Sequence, residues 1–182
     1  MENGESSYRR YLDGDEAAFD EILRLYRHRL TFFIHRFVHD LDAAEDLAID
    51  TFMYLIVHPY RYNFKTPLKA YLFMIGRSRA LDYLKHRNKI TIVELNHVEE
   101  MPSDDVTLEE LILLTERKQK LNHALTQLPE DMQTVLHLVY FEDFSYEQAA
   151  KVMKKSQKQV ANLLYRGKEK LRIILGKDGA VI

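Results

Sequence analysis

Apolar residues recur at steps of three and four through most of this chain, and that period leaves little room for anything but α-helices. Phe19, Ile22, Leu23, Tyr26, Leu30, Phe33, Ile34 and Phe37 make one stripe. Leu47, Phe52, Leu55 and Ile56 make a second, and Leu68, Tyr71, Leu72, Ile75, Leu81 and Leu84 a third. With only 6 glycines and 4 prolines in 182 residues, the chain lacks the turns a β-fold consumes. The punctuation agrees with the stripes. Asp15 with Glu16 predicts an N-cap and a complemented helix dipole for the first long helix. Asp42 is the expected cap of the second, and Pro59 lies just past its end. Thr66-Pro67 opens the third, with threonine as cap and proline at the first helical position, where its missing N–H has no partner to lose. Three helices with this apolar load are expected to pack as one small bundle.

The period lapses over residues 88–106, which read as a linker. Ile90-Thr91-Ile92-Val93 is β-like but too isolated to make a sheet. Thr107 with Glu110 is a capping box that starts a helix running through Leu111, Leu114, Leu121 and Leu125. Pro129 starts another, with Glu130 and Asp131 in its first turn and Met132, Val135, Leu136 and Val139 on its core face. After a turn at Glu142-Asp143, Ser145 with Gln148 forms a second box, which Phe144 staples. Ser156 with Gln159 forms a third only eleven residues later, opening a helix that carries Val160, Leu163, Leu164, Leu171 and Ile174. The expected fold is all-α. Two small helical domains, 8–90 and 117–176, are joined by an acidic linker over 91–116 that includes the start of a helix, and the C-terminal domain is a helix-turn-helix.

Net charge is −2, but it is laid out in blocks. Residues 1–60 carry 6 basic and 12 acidic side chains, residues 61–90 carry 8 and 1, residues 91–116 none and 8, and residues 151–182 carry 9 and 2. Two basic blocks flanking an acidic one predict two anion-binding surfaces.

Two constellations give those surfaces a chemistry. Residues 145–172 outline two short helices joined by a tight turn at Lys154-Lys155, with Ala149 and Ala150 small enough for a close crossing. The second helix exposes Lys158, Arg166, Lys168, Lys170 and Arg172, with Gln157, Gln159 and Asn162 near its start. Amide side chains suit adenine and arginine suits guanine in a major groove, while flanking lysines hold phosphates. The second constellation is Tyr60-Arg61-Tyr62-Asn63-Phe64-Lys65-Thr66-Pro67, followed by Lys69, Arg77, Arg79, Lys85, His86 and Arg87. Aromatic rings stack on unpaired bases and cations hold the backbone beside them. The plainer alternative is that the rings close the bundle, a role that suits Tyr60 and Tyr71.

Other chemistries are poorly served. There is no cysteine, hence no disulfide, thiolate metal site or cysteine nucleophile, which fits a reducing cytoplasm. His35 and His39 have metal-ligand spacing, but no pattern places a third ligand, so no metal and no cofactor is expected. No phosphate-binding glycine loop or nucleophile motif is present. The polar N-terminus does not read as a secretory signal, and no apolar run is long enough for membrane insertion.

Taken in order, these segments resemble the bacterial RNA polymerase sigma factors of the extracytoplasmic-function group. Asp42-Ala43-Ala44-Glu45-Asp46-Leu47 with Asp50-Thr51-Phe52 is similar to the acidic helix by which that family docks on the polymerase clamp. Leu68 to Arg87 resembles the segment that binds the promoter −10 element. Residues 128–153, with the helix after Ser156, resemble the domain that reads the −35 element. The resemblance implies a non-enzymatic, cytoplasmic subunit that binds core RNA polymerase, directs it to promoter DNA and assists −10 melting, with an anti-sigma factor as a possible further partner. It implies polymerase contacts at Glu45, Asp46 and Asp50. It implies −10 contacts at Asn63, Phe64, Lys65, Lys69, Arg77, Arg79, Lys85 and Arg87, and −35 contacts at Lys155, Gln157, Lys158, Asn162 and Arg166. The chain departs from the family pattern at Lys154, where glycine is usual in the helix-turn-helix turn. It also departs at Lys155, Ala161, Leu163, Tyr71 and Ile49. The alternative is a stand-alone helix-turn-helix regulator whose N-terminal bundle binds a ligand or dimerises.

Overall fold

The computed structural model describes residues 4–90 and 120–176. The acidic linker, the β-like run from Thr91, the Thr107/Glu110 box and Leu111 and Leu114 lie outside these residues. The described residues are helical, without a strand, and divide into two compact units.

The first unit contains α1 (Gly4–Leu12), α2 (Ala17–Val38), α3 (Leu41–Val57), a 3₁₀ turn (Pro59–Arg61) and α4 (Leu68–Ile90). α2 packs against each of the other three helices. Its expected stripe is its core: Phe19, Ile22, Leu30, Phe33, Ile34 and Phe37 are buried. Asp15 does not cap it. Glu16 stands at the N-cap without a side-chain bond, and the Asp15 carboxylate pairs with Arg10 at 3.2 Å. Arg10 belongs to α1, a helix the stripes did not announce. α1 closes in a Schellman turn, in which the Asp15 N–H donates to the Arg10 carbonyl and Gly14 takes φ 103°.

Between α2 and α3 only His39 and Asp40 intervene. His39 adopts φ 53°, and the Asp40 carboxylate accepts from the Ala43 N–H at 3.0 Å. Asp40 therefore caps α3, and Asp42 lies in the first turn. The buried face of α3 is Ala44, Ala48, Thr51, Phe52 and Leu55, with small residues where helices approach closely. The same holds in α4, where Ala70, Gly76 and Ala80 are buried beside Leu68, Leu72 and Phe73. A Cβ added at Gly76 would lie 2.8 Å from Leu30 Cδ1 and 3.2 Å from Ile34 Cδ1, so this glycine sets the approach of α2 and α4. α4 begins after Pro67, not at it, and its first N–H, that of Leu68, donates to Glu5 of α1 at 3.3 Å.

The second unit contains α5 (residues 120–126), α6 (Glu130–Leu136), a π-helical turn (His137–Phe141), α7 (Tyr146–Met153) and α8 (Gln157–Leu175). Within the π turn Leu138 is fully buried, whereas Val139, expected on the core face, is only half-buried. His137 and Glu142 bracket this turn as a buried pair, with Nε2 and Oε1 3.6 Å apart. Both expected capping boxes form. Ser145 and Gln148 exchange bonds of 2.9 and 3.2 Å, and Ser156 and Gln159 bonds of 2.8 and 3.2 Å. On α8, Val160, Leu164 and Leu171 are buried as expected, but Ile174 faces solvent and Gly167 takes a core position against Leu136.

The α7–α8 turn is another Schellman closure. The Lys155 N–H donates to the Ala150 carbonyl at 3.0 Å, the Lys154 N–H donates to the Lys151 carbonyl at 3.3 Å, and Lys154 takes φ 53°. The turn thus keeps a glycine-like shape with lysine in it, at a cost of about 1–2 kcal/mol.

Two stability changes follow, both read by native-state hydrogen exchange. Gly76→Val overpacks the α2–α4 contact and lowers protection of α2 and α4 amides by about 1–3 kcal/mol. Lys154→Gly leaves α8 protection unchanged or raises it by up to about 1 kcal/mol, whereas Lys154→Val, β-branched at positive φ, lowers it by about 1–2 kcal/mol.

Candidate nucleic-acid interface

The aromatic-basic segment is a compact loop built on one buried ring. Tyr62 is buried, donates its hydroxyl to the Thr66 carbonyl at 2.8 Å, and packs on Tyr8, Phe64 and Tyr71 with centroids 5.6, 4.6 and 5.0 Å away. Burial, reinforced by the Glu5 charge, pushes its hydroxyl far above the ordinary tyrosine range. The Asn63 side-chain oxygen accepts from the Lys65 N–H at 3.1 Å, a local turn that brings Phe64 to φ 60°. Phe64 is half-buried, and the Arg9 guanidinium lies 4.0 Å above its ring centre. Asn63 and Lys65 are exposed. Tyr71 belongs to the bundle-closing cluster. Tyr60 does not, for it stands 94% exposed.

The α4 cations do not form one row. Lys69, beside the loop, has its ammonium 5.8 Å over the Phe73 ring. Arg77 is half-buried. Arg79 turns to α3, 3.4 Å from the Asp50 carboxylate and 5.8 Å from the Tyr54 ring. Lys85 pairs with Asp82 at 3.1 Å. Arg87 donates to the Val38 carbonyl at 3.1 Å and so finishes the C-terminus of α2. Residues that share a basic block in sequence therefore separate into a loop group, an α3 contact and a helix cap.

On α3, Glu45, Asp46 and Asp50 are all exposed. Between them runs a feature the apolar stripes concealed: Ile49, Met53 and Val57, at steps of four, are 47%, 48% and 62% exposed. The signal was available, since these residues lie opposite Ala44, Ala48 and Leu55 on the helical wheel. The face is acidic and apolar together, a composition suited to a protein partner rather than a polyanion.

In the second unit, the start of α8 is the exposed edge of the helix-turn-helix. Gln157, Lys158, Asn162 and Arg166 face solvent. Lys155, Gln159, Asn162, Leu163 and Arg166 line a shallow hollow of about 220 Å³. Lys155 is partly engaged, since its ammonium lies 3.0 Å from the Asp131 carboxylate of α6. Gln159 spends its side-chain oxygen on the Ser156 N–H, which leaves its amide donors for a ligand. Further along, Lys168 lies 5.1 Å over the Tyr140 ring and Arg172 pairs with Glu169. Exposed Lys158 and Arg166 thus place positive charge on the first three turns of α8, and exposed Lys170 continues it. The His35 and His39 rings lie 6.5 Å apart, with His35 held below its ordinary pKa by burial and by its neighbour.

Comparison with known proteins agrees with this division. Residues 22–90 match Sigma-70 region 2, and residues 118–171 match Sigma-70, region 4. The RNA polymerase sigma-H factor of Pseudomonas aeruginosa is 30% identical over 168 residues, covering 86% of this chain and 85% of that protein. The ECF RNA polymerase sigma factor SigM of Bacillus subtilis is 25% identical over 165 residues, covering 87% and 95%. Among solved structures, the sigma factor RpoE of Bartonella quintana, in complex with the anti-sigma factor NepR, has a TM-score of 0.70 at 23% identity and covers 88% of this chain and 98% of that one. CnrH, in complex with the cytosolic domain of CnrY, has a TM-score of 0.64 at 20% identity and covers 93% and 94%. The chain belongs to the RNA polymerase sigma factors of the extracytoplasmic-function group, and it directs core RNA polymerase to promoter DNA.

Proposed function

We propose that the two units divide this task as follows. The domain over 8–90 binds core polymerase and captures the −10 element as it melts, the domain over 117–176 reads the −35 element as duplex, and the acidic stretch over 91–116 links them. The role is non-enzymatic and cytoplasmic. The observation that carries the reading is the coexistence, in one unit, of the exposed acidic-apolar face of α3 and the aromatic-basic loop. A stand-alone regulator has use for neither. Glu45, Asp46 and Asp50 supply the polymerase contact. Asn63, Phe64, Lys65 and Lys69 form the single-strand site, and Arg77, Arg79, Lys85 and Arg87, spread further along α4, serve the rest of the −10 DNA. Gln157, Lys158, Asn162 and Arg166, with Lys155 at their edge, meet the −35 groove. An anti-sigma protein is the further partner: the neighbour RpoE was solved in complex with the anti-sigma factor NepR, and CnrH in complex with the cytosolic domain of CnrY. Among the described residues no helix is long and apolar enough to cross a membrane.

Two substitutions at exposed positions test the division. Asp46→Arg inverts one charge on α3. Co-purification with core polymerase falls at least tenfold, while binding of the full chain to −35 duplex is unchanged. Retained polymerase affinity would remove α3 from the interface. Asn162→Ala lowers the preference for promoter over random duplex by about 1–3 kcal/mol and leaves random-duplex affinity intact, because a base contact discriminates and a phosphate contact does not. Equal losses on both duplexes in a titration would reassign Asn162 to the backbone.

A further inference from the structure

α1 begins before the matched region 2 stretch, which starts at residue 22, and no role so far described needs it. Yet three of its residues converge on the loop over 62–67. At the loop's exit, Glu5 accepts from the Leu68 N–H, the first donor of α4. At its entry, the Tyr8 hydroxyl lies 3.1 Å from the Leu55 carbonyl and 3.2 Å from the Pro59 carbonyl, spanning the end of α3 and the start of the 3₁₀ turn. Tyr8 is fully buried, which pushes its pKa up to about 12, and its ring packs on both Tyr62 and Phe64. At the tip, Arg9 covers one face of Phe64. The contacts join residues 47 to 63 positions apart, so no local preference of the loop makes them.

We propose that α1 sets the shape of the loop that captures the unpaired base, with Tyr8 and Arg9 as positioning residues for promoter melting. The proposal rests on the reading of that loop as the −10 single-strand site. Phe64 sits in a left-handed backbone conformation that a bulky residue keeps only when its surroundings hold it there. Arg9 holds it by a cation–π contact on one face, and Tyr8 and Tyr62 hold it at other sides. Because Arg9 occupies a face of the ring, the base enters beside exposed Asn63 and Lys65, and the exposed Arg9 guanidinium is at hand for the adjoining phosphate. A loop already in its capturing shape does not have to be ordered when the strand arrives, so the benefit falls on melting rather than on assembly of the holoenzyme.

The test uses holoenzyme assembled from core polymerase and the full chain. The promoter carries 2-aminopurine in place of single bases of the −10 element. Its fluorescence reports unstacking. Arg9→Met keeps the stem and removes the cation, and Tyr8→Phe removes only the hydroxyl. Each is expected to lower the melted fraction roughly three- to tenfold, in line with the worth of one cation–π contact or hydrogen bond. Polymerase affinity and −35 duplex binding stay at parent values, thermal stability stays at the parent value in Arg9→Met and falls in Tyr8→Phe, which gives up a buried hydroxyl, and Arg9→Lys recovers most of the melting. Phe64→Ala serves as the control for the underlying site. If Phe64→Ala impairs melting and Arg9→Met does not, the positioning role is overturned while the loop keeps its function. If neither impairs melting, the loop is not the single-strand site and the proposal falls with it. Loss of polymerase affinity in step with melting would make α1 a brace of the bundle and overturn the proposal equally.

Discussion

Every α-helix ends with backbone N–H groups and carbonyls that its own ladder cannot use, and in this chain the way those groups are satisfied decides where each functional segment lies. Asp40 takes the first donors of α3, Glu5 takes that of α4, and Ser145 and Ser156 take those of α7 and α8. At the other ends, Arg87 closes α2 and Tyr8 reaches the last carbonyls of α3. The backbone also turns left-handed at His39, Phe64, Asp143 and Lys154. None of these is glycine, so each junction is held by its surroundings. The start of α8, the acidic face of α3 and the loop before α4 all sit at such junctions.

Charge separates along the same lines. Acidic residues on α3 face solvent beside exposed apolar side chains, whereas exposed cations lie at the loop and along α8. This arrangement lets one protein meet a protein partner with one face and a polyanion with others, without the two competing for the same side chains. The exposed Arg79–Asp50 pair joins the two kinds of surface within the first unit. Solvent-facing pairs of this sort are worth little to stability, so either partner is free to exchange the contact for one with polymerase or DNA.

Much of this architecture is visible in the sequence because it is local. The boxes at Ser145/Gln148 and Ser156/Gln159 involve partners three residues apart, and the α2 stripe repeats with the helical period. What escaped is whatever depends on a distant partner or on a small side chain. Asp42 was the expected cap of α3, but Asp40, with its extended backbone, takes that place. Gly76 carries no hydrophobic signal, yet it decides how closely α2 and α4 approach. Leu138, not Val139, proved fully buried in the π turn. α1, with few apolar residues of its own, showed no stripe.

The candidate sites divide the same way. Val160, Leu164 and Leu171 mark the buried side of α8, so Gln157, Lys158, Asn162 and Arg166 were legible as its solvent-facing side from period and cap alone. The helical nature of the chain, its two-part organisation and its charge blocks were determined likewise, by short-range preferences that every residue carries with it. Only the tertiary structure decided that Arg79 turns to Asp50 and Arg87 to Val38, that Lys155 leans on Asp131, and that Arg9 lies on Phe64. Those outcomes depend on contacts between residues tens of positions apart, brought together by burial of the cores, and no local preference encodes which partner a long, flexible side chain will find.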